Sequence, residues 1–193
     1  MKKEFNKIIN EKVILDNMLM TLSNEVSRSI TKIYTTLKKG GKIFLCGNGG
    51  SAADAQHLSA EFLVRLRPNI NRRPLPVISL ALDTSTITAC GNDLGYNKIF
   101  ERNLTALGTK KDLLIAISTS GKSKNILNVL KYAKKNKIFS IALLGNKGGH
   151  AKKLSNLNLI VPSINVARIQ ESHIFLGHFI FEQVENLILK NEK

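Results

Sequence analysis

The stretch KIFLCGNGGSAADAQHLSAEF, residues 42–62, contains three kinds of sequence in twenty-one positions. It begins with an apolar run typical of a buried strand, continues through a loop of small residues rich in glycine, and ends in a segment with helical spacing. A strand, a glycine loop and a helix in this order predict one unit of a parallel α/β sheet. The helical part carries His57 and Glu61 four residues apart, which places both on one face of the helix.

Four further apolar runs of strand length follow. They are continuous rather than alternating, which suits strands buried on both faces, and the segments between them are mostly helical in period. The runs occupy residues 76–82, 112–118, 139–145 and 158–162. A last amphipathic helix is predicted from about residue 168 to 189. The fold class expected is therefore α/β, a three-layer sandwich with a five-stranded parallel sheet.

The segment before the first strand predicts a long N-terminal helix. Its apolar residues recur near helical spacing from Phe5 to Leu37 without a proline, and a break is expected near 17–23. We expect one domain over 1–193. It comprises an N-terminal helical segment, 1–40, and an α/β core with a C-terminal helix, 41–193.

Composition argues against several classes of protein. No apolar run approaches the roughly 20 residues that cross a bilayer, and the N-terminus lacks an apolar signal core, so a cytoplasmic protein without a membrane partner is expected. Cys46 and Cys90 have no C-x-x-C spacing and are interpreted as reduced packing residues. The lysines behind the net charge of +15 are dispersed and not interleaved with aromatics, which favours solvated helix faces over a nucleic-acid partner.

Two loops resemble nucleotide-binding motifs, and both are incomplete. The first, GNGGSAAD at 47–54, formally matches a dinucleotide fingerprint, but the acid required about 20 residues later is missing. The first acid after the second predicted strand is Asp83. In the second loop, GKS at 121–123 looks like the end of a triphosphate-binding loop, but Ala116 stands where the pattern requires glycine. No nucleotide cofactor is therefore expected.

The second loop, STSGKS at 118–123, carries four hydroxyls ahead of a predicted helix. Hydroxyls and backbone N–H groups at a helix N-terminus suit a single phosphate monoester. The alternative is a helix cap and turn, for which serine, threonine and glycine are favoured for local reasons.

The last helix offers further polar side chains. Gln170 and His178 project about 80° apart around the helix axis, and His173 lies about 60° to the other side of Gln170, so periodicity leaves the two histidines open. The apolar setting FLGHFIF favours His178, because an imidazole buried there needs a partner. With His57 and Glu61, this helix could complete a zinc site or a proton-transfer pair. Each histidine could equally be an ordinary hydrogen-bonded residue.

The combination of CGNGGSAADAQH, GND at 91–93, ISTSGKS and RIQESH resembles the bacterial phosphoheptose isomerases of the sugar isomerase (SIS) superfamily over nearly the whole chain. The resemblance implies a flavodoxin-like sandwich assembled as a homotetramer with active sites between subunits. It also implies conversion of sedoheptulose 7-phosphate, a phosphorylated seven-carbon sugar, to D-glycero-D-manno-heptose 7-phosphate by enediol proton transfer. The product would serve lipopolysaccharide or other surface-glycan synthesis.

The resemblance also implies roles for individual residues. Glu61 would be the general base and His178 the acid, and one zinc ion per subunit would be held by His57, Glu61, Gln170 and His178. Substrate would be bound by Asn48, Gly49, Gly50, Ser51, Glu61, Arg65, Asn92, Asp93, Ser118, Thr119, Ser120, Ser123 and Gln170. Ala167 departs from the family, since some members have aspartate there. The alternative is a related, non-catalytic group that binds the replication initiator and lacks counterparts of Glu61 and His178.

Overall fold

The computed structural model describes residues 1–191 and contains the predicted five-stranded sheet. All neighbouring strands pair in parallel, in the order β2-β1-β3-β4-β5, which is the flavodoxin-like order. The strands are β1 Ile43–Gly47, β2 Val77–Ser79, β3 Leu113–Ser118, β4 Phe139–Gly145 and β5 Leu157–Val161. The predicted α/β class and the positions of all five strands are confirmed.

Helices lie on both faces of the sheet. The α-helices are α1 Lys2–Leu19, α2 Ser23–Lys38, α3 Gly50–Leu63, α4 Thr84–Asp93, α5 Ile99–Leu107, α6 Lys124–Lys135 and α7 Val166–Asn191. The predicted break in the N-terminal helix is a 3-10 turn, Met20–Leu22, between α1 and α2. Within residues 1–191, no helix combines the length and the apolar character needed to span a bilayer.

The sheet separates two apolar cores, because successive residues of a strand point to opposite faces. Ile43 and Leu45 of β1 pack towards α2, α3 and α7, whereas Phe44 and Cys46 pack towards the side of α5 and α6. All five residues of β1 and all six of β3 are buried, which explains their continuous apolar runs. Each fully buried large side chain contributes roughly 1.5–3 kcal/mol to folding.

Both cysteines have the packing role expected from the sequence. Cys46 and Cys90 are free and buried. Complete burial raises the pKa of the Cys46 thiol well above its usual range. Cys46 is therefore held as an unreactive thiol in the core.

The order of the strands determines where the two motif loops lie. β1 and β3 are neighbours in register, with Gly47 opposite Ile117. The loops that follow these two strands therefore leave the sheet side by side at its carboxyl edge, where ligands bind in open parallel sheets.

Candidate active site

The glycine loop after β1 leads directly into α3. Gly49 precedes the helix with a φ of +56°, a conformation that glycine adopts without strain. A Cβ on Gly49 would meet nothing within 4 Å, whereas one on Gly50 would overlap the Gln170 side-chain amide of α7. The structure therefore brings Gln170 against the first loop, and the open side of Gly49 leaves room for a ligand.

Helices α3 and α7 approach closely because α7 has a glycine where they meet. A Cβ on Gly177 would lie 2.7 Å from Leu58 Cδ1 of α3. Leu58 follows His57, and Gly177 precedes His178, so the close approach sets the two histidines facing each other. A larger residue at position 177 would separate the two halves of the site.

The facing side chains form the His57–Glu61–His178 triad. The two Nε2 atoms of His57 and His178 are 2.8 Å apart, and His57 Nε2 is 3.4 Å from Glu61 Oε1. One donor atom from each of the three residues lies within 4.8 Å of the others. Glu61 Oε2 is buried without a hydrogen-bond partner among the described residues. The triad thus has a free carboxylate oxygen and two imidazole nitrogens directed at one small volume.

Burial and the neighbouring His57 favour the neutral form of His178. Burial lowers the pKa of the His178 imidazole, the nearby His57 lowers it further, and the Glu61 carboxylate opposes both effects. A neutral imidazole can donate and accept a proton, and it can also bind a metal ion.

The donor set of the triad fits zinc. Two imidazoles and a carboxylate are ordinary zinc ligands, and the buried oxygen of Glu61 without a partner is a ready donor. His57, Glu61 and His178 would each supply one ligand atom to such an ion. The implied fourth ligand, Gln170, lies at the neighbouring glycine loop.

The structure distinguishes the two histidines that periodicity could not. His173 is completely buried, and its Nε2 donates a hydrogen bond to the Leu144 carbonyl of β4 at 3.0 Å. Burial lowers the pKa of His173 to about 4. His173 is a core residue outside the triad, and it is His178 that lies beside His57 and Glu61.

In the second loop, the four hydroxyls are used in two ways. Ser118 Oγ accepts a hydrogen bond from Gly121 N at 3.1 Å, and Ser120 Oγ accepts one from Lys122 N at 3.2 Å. These two hydroxyls stabilise the turn, as expected from the alternative interpretation of this loop as a helix cap and turn. Ser123 is the N-cap residue of α6, but its side chain makes no capping hydrogen bond. The hydroxyls of Thr119 and Ser123 make no hydrogen bond within residues 1–191 and remain available to a ligand.

The first loop is joined to α6 by the predicted residue Asn48 together with Asn125 and Tyr96, which were missed from the sequence. Asn48 and Asn125 exchange two amide hydrogen bonds, with Asn48 donating at 2.9 Å and Asn125 at 2.7 Å. The Tyr96 hydroxyl also donates to Asn48 Oδ1 at 3.0 Å. The side chain of Asn48 therefore holds the first loop against α6, and its partner lies 77 positions away in the chain.

Other residues implied by the resemblance lie around this centre. Ser51 is buried in the first turn of α3, whereas Arg65, Asn92 and Asp93 are exposed. Asn92 donates to Asp93 Oδ1 at 2.8 Å. Within residues 1–191, Arg65, Asn92 and Asp93 form no hydrogen bond or ion pair with the triad.

One further carboxylate lies beside the triad and was missed from the sequence. Asp54 precedes His57 by three residues on α3, and its Oδ2 is buried without a partner among the described residues. Burial raises the pKa of Asp54, and His57 opposes the rise. Its i, i+3 spacing from His57 was the signal that could have identified it.

Known proteins resemble this chain over nearly its whole length. A match to the SIS domain family covers residues 8–145. The chain is 43% identical over 189 residues to a phosphoheptose isomerase of Chlorobium phaeobacteroides, covering 92% of this chain and 84% of the relative. The solved phosphoheptose isomerase of Neisseria gonorrhoeae superposes with a TM-score of 0.89 at 34% identity, covering 96% of this chain and 98% of that one. The solved phosphoheptose isomerase of Francisella tularensis superposes with a TM-score of 0.91 at 33% identity. This match covers 95% of this chain and 97% of that one.

Proposed function

The chain belongs to the phosphoheptose isomerases of the SIS domain family and is a sugar-phosphate isomerase, and we propose that it converts sedoheptulose 7-phosphate to D-glycero-D-manno-heptose 7-phosphate. The observation that carries this proposal is the convergence of His57, Glu61 and His178 within 4.8 Å. The product would supply heptose for lipopolysaccharide or another surface glycan.

Glu61 is the proposed general base. In the open-chain ketose, its carboxylate takes a proton from C1, and the C1–H electrons form the C1–C2 double bond of an enediol. The same carboxylate then returns a proton to C2, which leaves the aldose. The Glu61 carboxylate is suited to this step because, apart from the nearby His57, no hydrogen-bond donor among the described residues holds it.

His178 is the proposed acid for the sugar oxygens. As the enediol forms, the C2 carbonyl oxygen gains a proton, and as the aldose forms, the C1 hydroxyl loses one. An imidazole with a lowered pKa can both give and take such a proton near neutral pH. Opening of the cyclic sugar requires the same kind of proton transfer.

The hydroxyl loop and the α6 N-terminus are the proposed phosphate anchor. Within residues 1–191 the hydroxyls of Thr119 and Ser123 make no hydrogen bond, and Ser123 begins α6, whose first backbone N–H groups have no partner inside the helix. The glycine loop at Asn48–Ser51 and the Gln170 amide would contact the rest of the sugar. When the phosphate on C7 is held at this loop, the length of the open sugar chain determines where C1 and C2 lie relative to the triad.

Zinc is the proposed metal, one ion per subunit, held by His57, Glu61, Gln170 and His178. When bound, it would polarise the sugar carbonyl as a Lewis acid. Turnover of metal-stripped protein, measured with and without added zinc, tests this role. A large loss restored by zinc supports it, and unchanged turnover would show that the metal takes no part in catalysis.

A homotetramer is the proposed assembly. Asp16–Ile30 and α7 line a largely apolar groove of about 750 Å³, in which Phe175 is 54% exposed and Phe179 is 42% exposed. Apolar grooves of this kind are usually covered by a partner, and the resemblance implies further copies of this chain. The exposed Arg65, Asn92 and Asp93 would then complete sites with a neighbouring subunit. The proposed location is the cytoplasm, which fits a biosynthetic enzyme.

The proposal is tested with purified protein and sedoheptulose 7-phosphate, with the aldose product scored by NMR. Wild-type protein is expected to form the aldose, and Glu61→Gln and His178→Ala to lose most of the turnover. If both variants kept wild-type turnover, the residue assignments would fail although the function stood. An inactive wild-type protein that binds the replication initiator would overturn the function itself.

A further inference from the structure

A buried ionic cluster lies at the far end of α3, outside the triad. Arg67, Arg72 and Glu185 form this arginine–glutamate cluster, in which Glu185 of α7 is completely buried. Arg67 Nε donates to Glu185 Oε2 at 2.7 Å, and Arg72 Nε donates to Glu185 Oε1 at 2.6 Å. Each carboxylate oxygen therefore has its own guanidinium partner, which compensates the cost of burying the charge.

Arg72 differs from Arg67 in what else it binds. The Arg72 side chain is 1% exposed, and its other nitrogens donate to the carbonyls of Glu61 at 2.8 Å and Phe62 at 3.0 Å. Arg72 also donates to the Arg73 carbonyl at 3.1 Å. The last carbonyls of an α-helix have no partner within the helix, so Arg72 serves as a charged cap at the carboxyl end of α3.

The contacts of Arg67 stay on α7. Beyond Glu185, its guanidinium donates to Asn186 Oδ1 at 2.7 Å and lies 3.6 Å from Glu182. None of the hydrogen bonds described for Arg67 reaches α3. The two arginines share one carboxylate, but of the pair Arg72 is the one that joins α3 to α7.

This joint lies close to the reacting groups. Glu61, whose carbonyl Arg72 binds, is also the proposed base, and its carboxylate has no hydrogen-bond donor among the described residues apart from the nearby His57. The direction of the carboxylate therefore depends on where the backbone of α3 lies. Glu185 follows His178 by seven residues, which places both on one face of α7 about 10 Å apart.

We propose that Arg72 is a positioning residue for isomerisation: it fixes the carboxyl end of α3 to Glu185, so that Glu61 and His57 meet His178 at working distance. This inference rests on the proposed function. It predicts that Arg72 acts through the geometry of the triad, beyond any contribution to stability. Partners that orient catalytic groups or metal ligands typically change activity or metal affinity by about 10- to 100-fold when altered.

The test compares Arg72→Lys with Arg67→Lys. Both variants keep a positive charge beside Glu185, but lysine cannot reach the carboxylate and both helix carbonyls together. We expect Arg72→Lys to lower kcat and zinc affinity by about 10- to 100-fold with KM unchanged, and Arg67→Lys to keep both near the wild-type values. Wild-type kcat and zinc affinity in Arg72→Lys, or equal losses in both variants, would overturn the proposal.

A second variant covers the case in which Arg72→Lys does not fold. The double variant Arg72→Met/Glu185→Met replaces the buried pair with apolar side chains, which is often tolerated in protein cores, and removes the hydrogen bonds of Arg72 to the Glu61 and Phe62 carbonyls. The same losses in a folded protein support the proposal, and wild-type values contradict it. If wild-type protein turns over no sedoheptulose 7-phosphate, the proposed function fails, and zinc affinities still decide on Arg72.

Discussion

His173 is expected to make the stability of this protein depend on pH between 6.5 and 4. Its imidazole is completely buried, and burial lowers its pKa from 6.5 to about 4. In this range the unfolded chain takes up a proton that the folded chain cannot, so acidification favours unfolding. Below pH 4 both states are protonated, and the effect of this group levels off.

The size of the effect follows from the two pKa values. Between pH 7 and pH 5, linkage gives a loss of about 2 kcal/mol in the free energy of unfolding, and the full difference approaches about 3 kcal/mol at lower pH. His173→Gln is a matched control, because its side-chain amide can still donate to the Leu144 carbonyl but does not titrate. The wild-type protein should therefore lose about 2 kcal/mol more than the variant.

Urea unfolding followed by circular dichroism, at pH 7 and pH 5 and at one protein concentration, measures this difference. Equal pH dependence of wild type and His173→Gln would refute the reasoning. The same variant also tests whether His173 has a packing role rather than a role in the active site. If it only packs in the core, His173→Gln should keep its turnover at pH 7. A loss of turnover as deep as that of His178→Ala would mean that the wrong histidine has been assigned to the triad.

Two glycines provide further predictions. Gly50→Ala would push the Gln170 amide away from the first loop, and we expect kcat/KM to fall by about tenfold or more in steady-state assays. Gly91→Ala is its control, because a Cβ there meets nothing within 4 Å and turnover should be retained. Gly177→Ala would force Leu58 away from α7. This overpacking should lower the free energy of unfolding in urea by about 1–3 kcal/mol, and the higher helix propensity of alanine should offset about 1 kcal/mol of that loss. Turnover should also fall. Unchanged turnover would argue against a tight α3–α7 contact.

Much of the fold could be predicted because it depends on local patterns. β1 and β3 are buried on both faces, so their apolar runs marked them directly, and the break at Met20–Leu22 was expected from residues 17–23. His57 and Glu61 were paired correctly because helical spacing alone puts them on one face.

The rest depended on contacts between distant parts of the chain. Which histidine faces α3, His173 or His178, depends on how α7 is rotated about its own axis. That rotation is determined by the packing of Gly177 against Leu58, which helical periodicity cannot predict. Arg72 and Glu185 are 113 positions apart, and neither belongs to a local motif. Their contact arises from the tertiary structure, which is why the arginine–glutamate cluster could not be anticipated.

The most direct test of the central claim is the reaction of wild-type protein with sedoheptulose 7-phosphate in D2O, followed by NMR. Proton transfer through an enediol, with Glu61 as the base, predicts aldose product that carries deuterium at C2 in the fraction of turnovers in which the Glu61 carboxyl exchanges its proton with solvent before returning it. Glu61→Gln should form the aldose much more slowly. A ketose that remains unchanged by wild-type protein, or aldose formed equally fast by Glu61→Gln, would contradict the account.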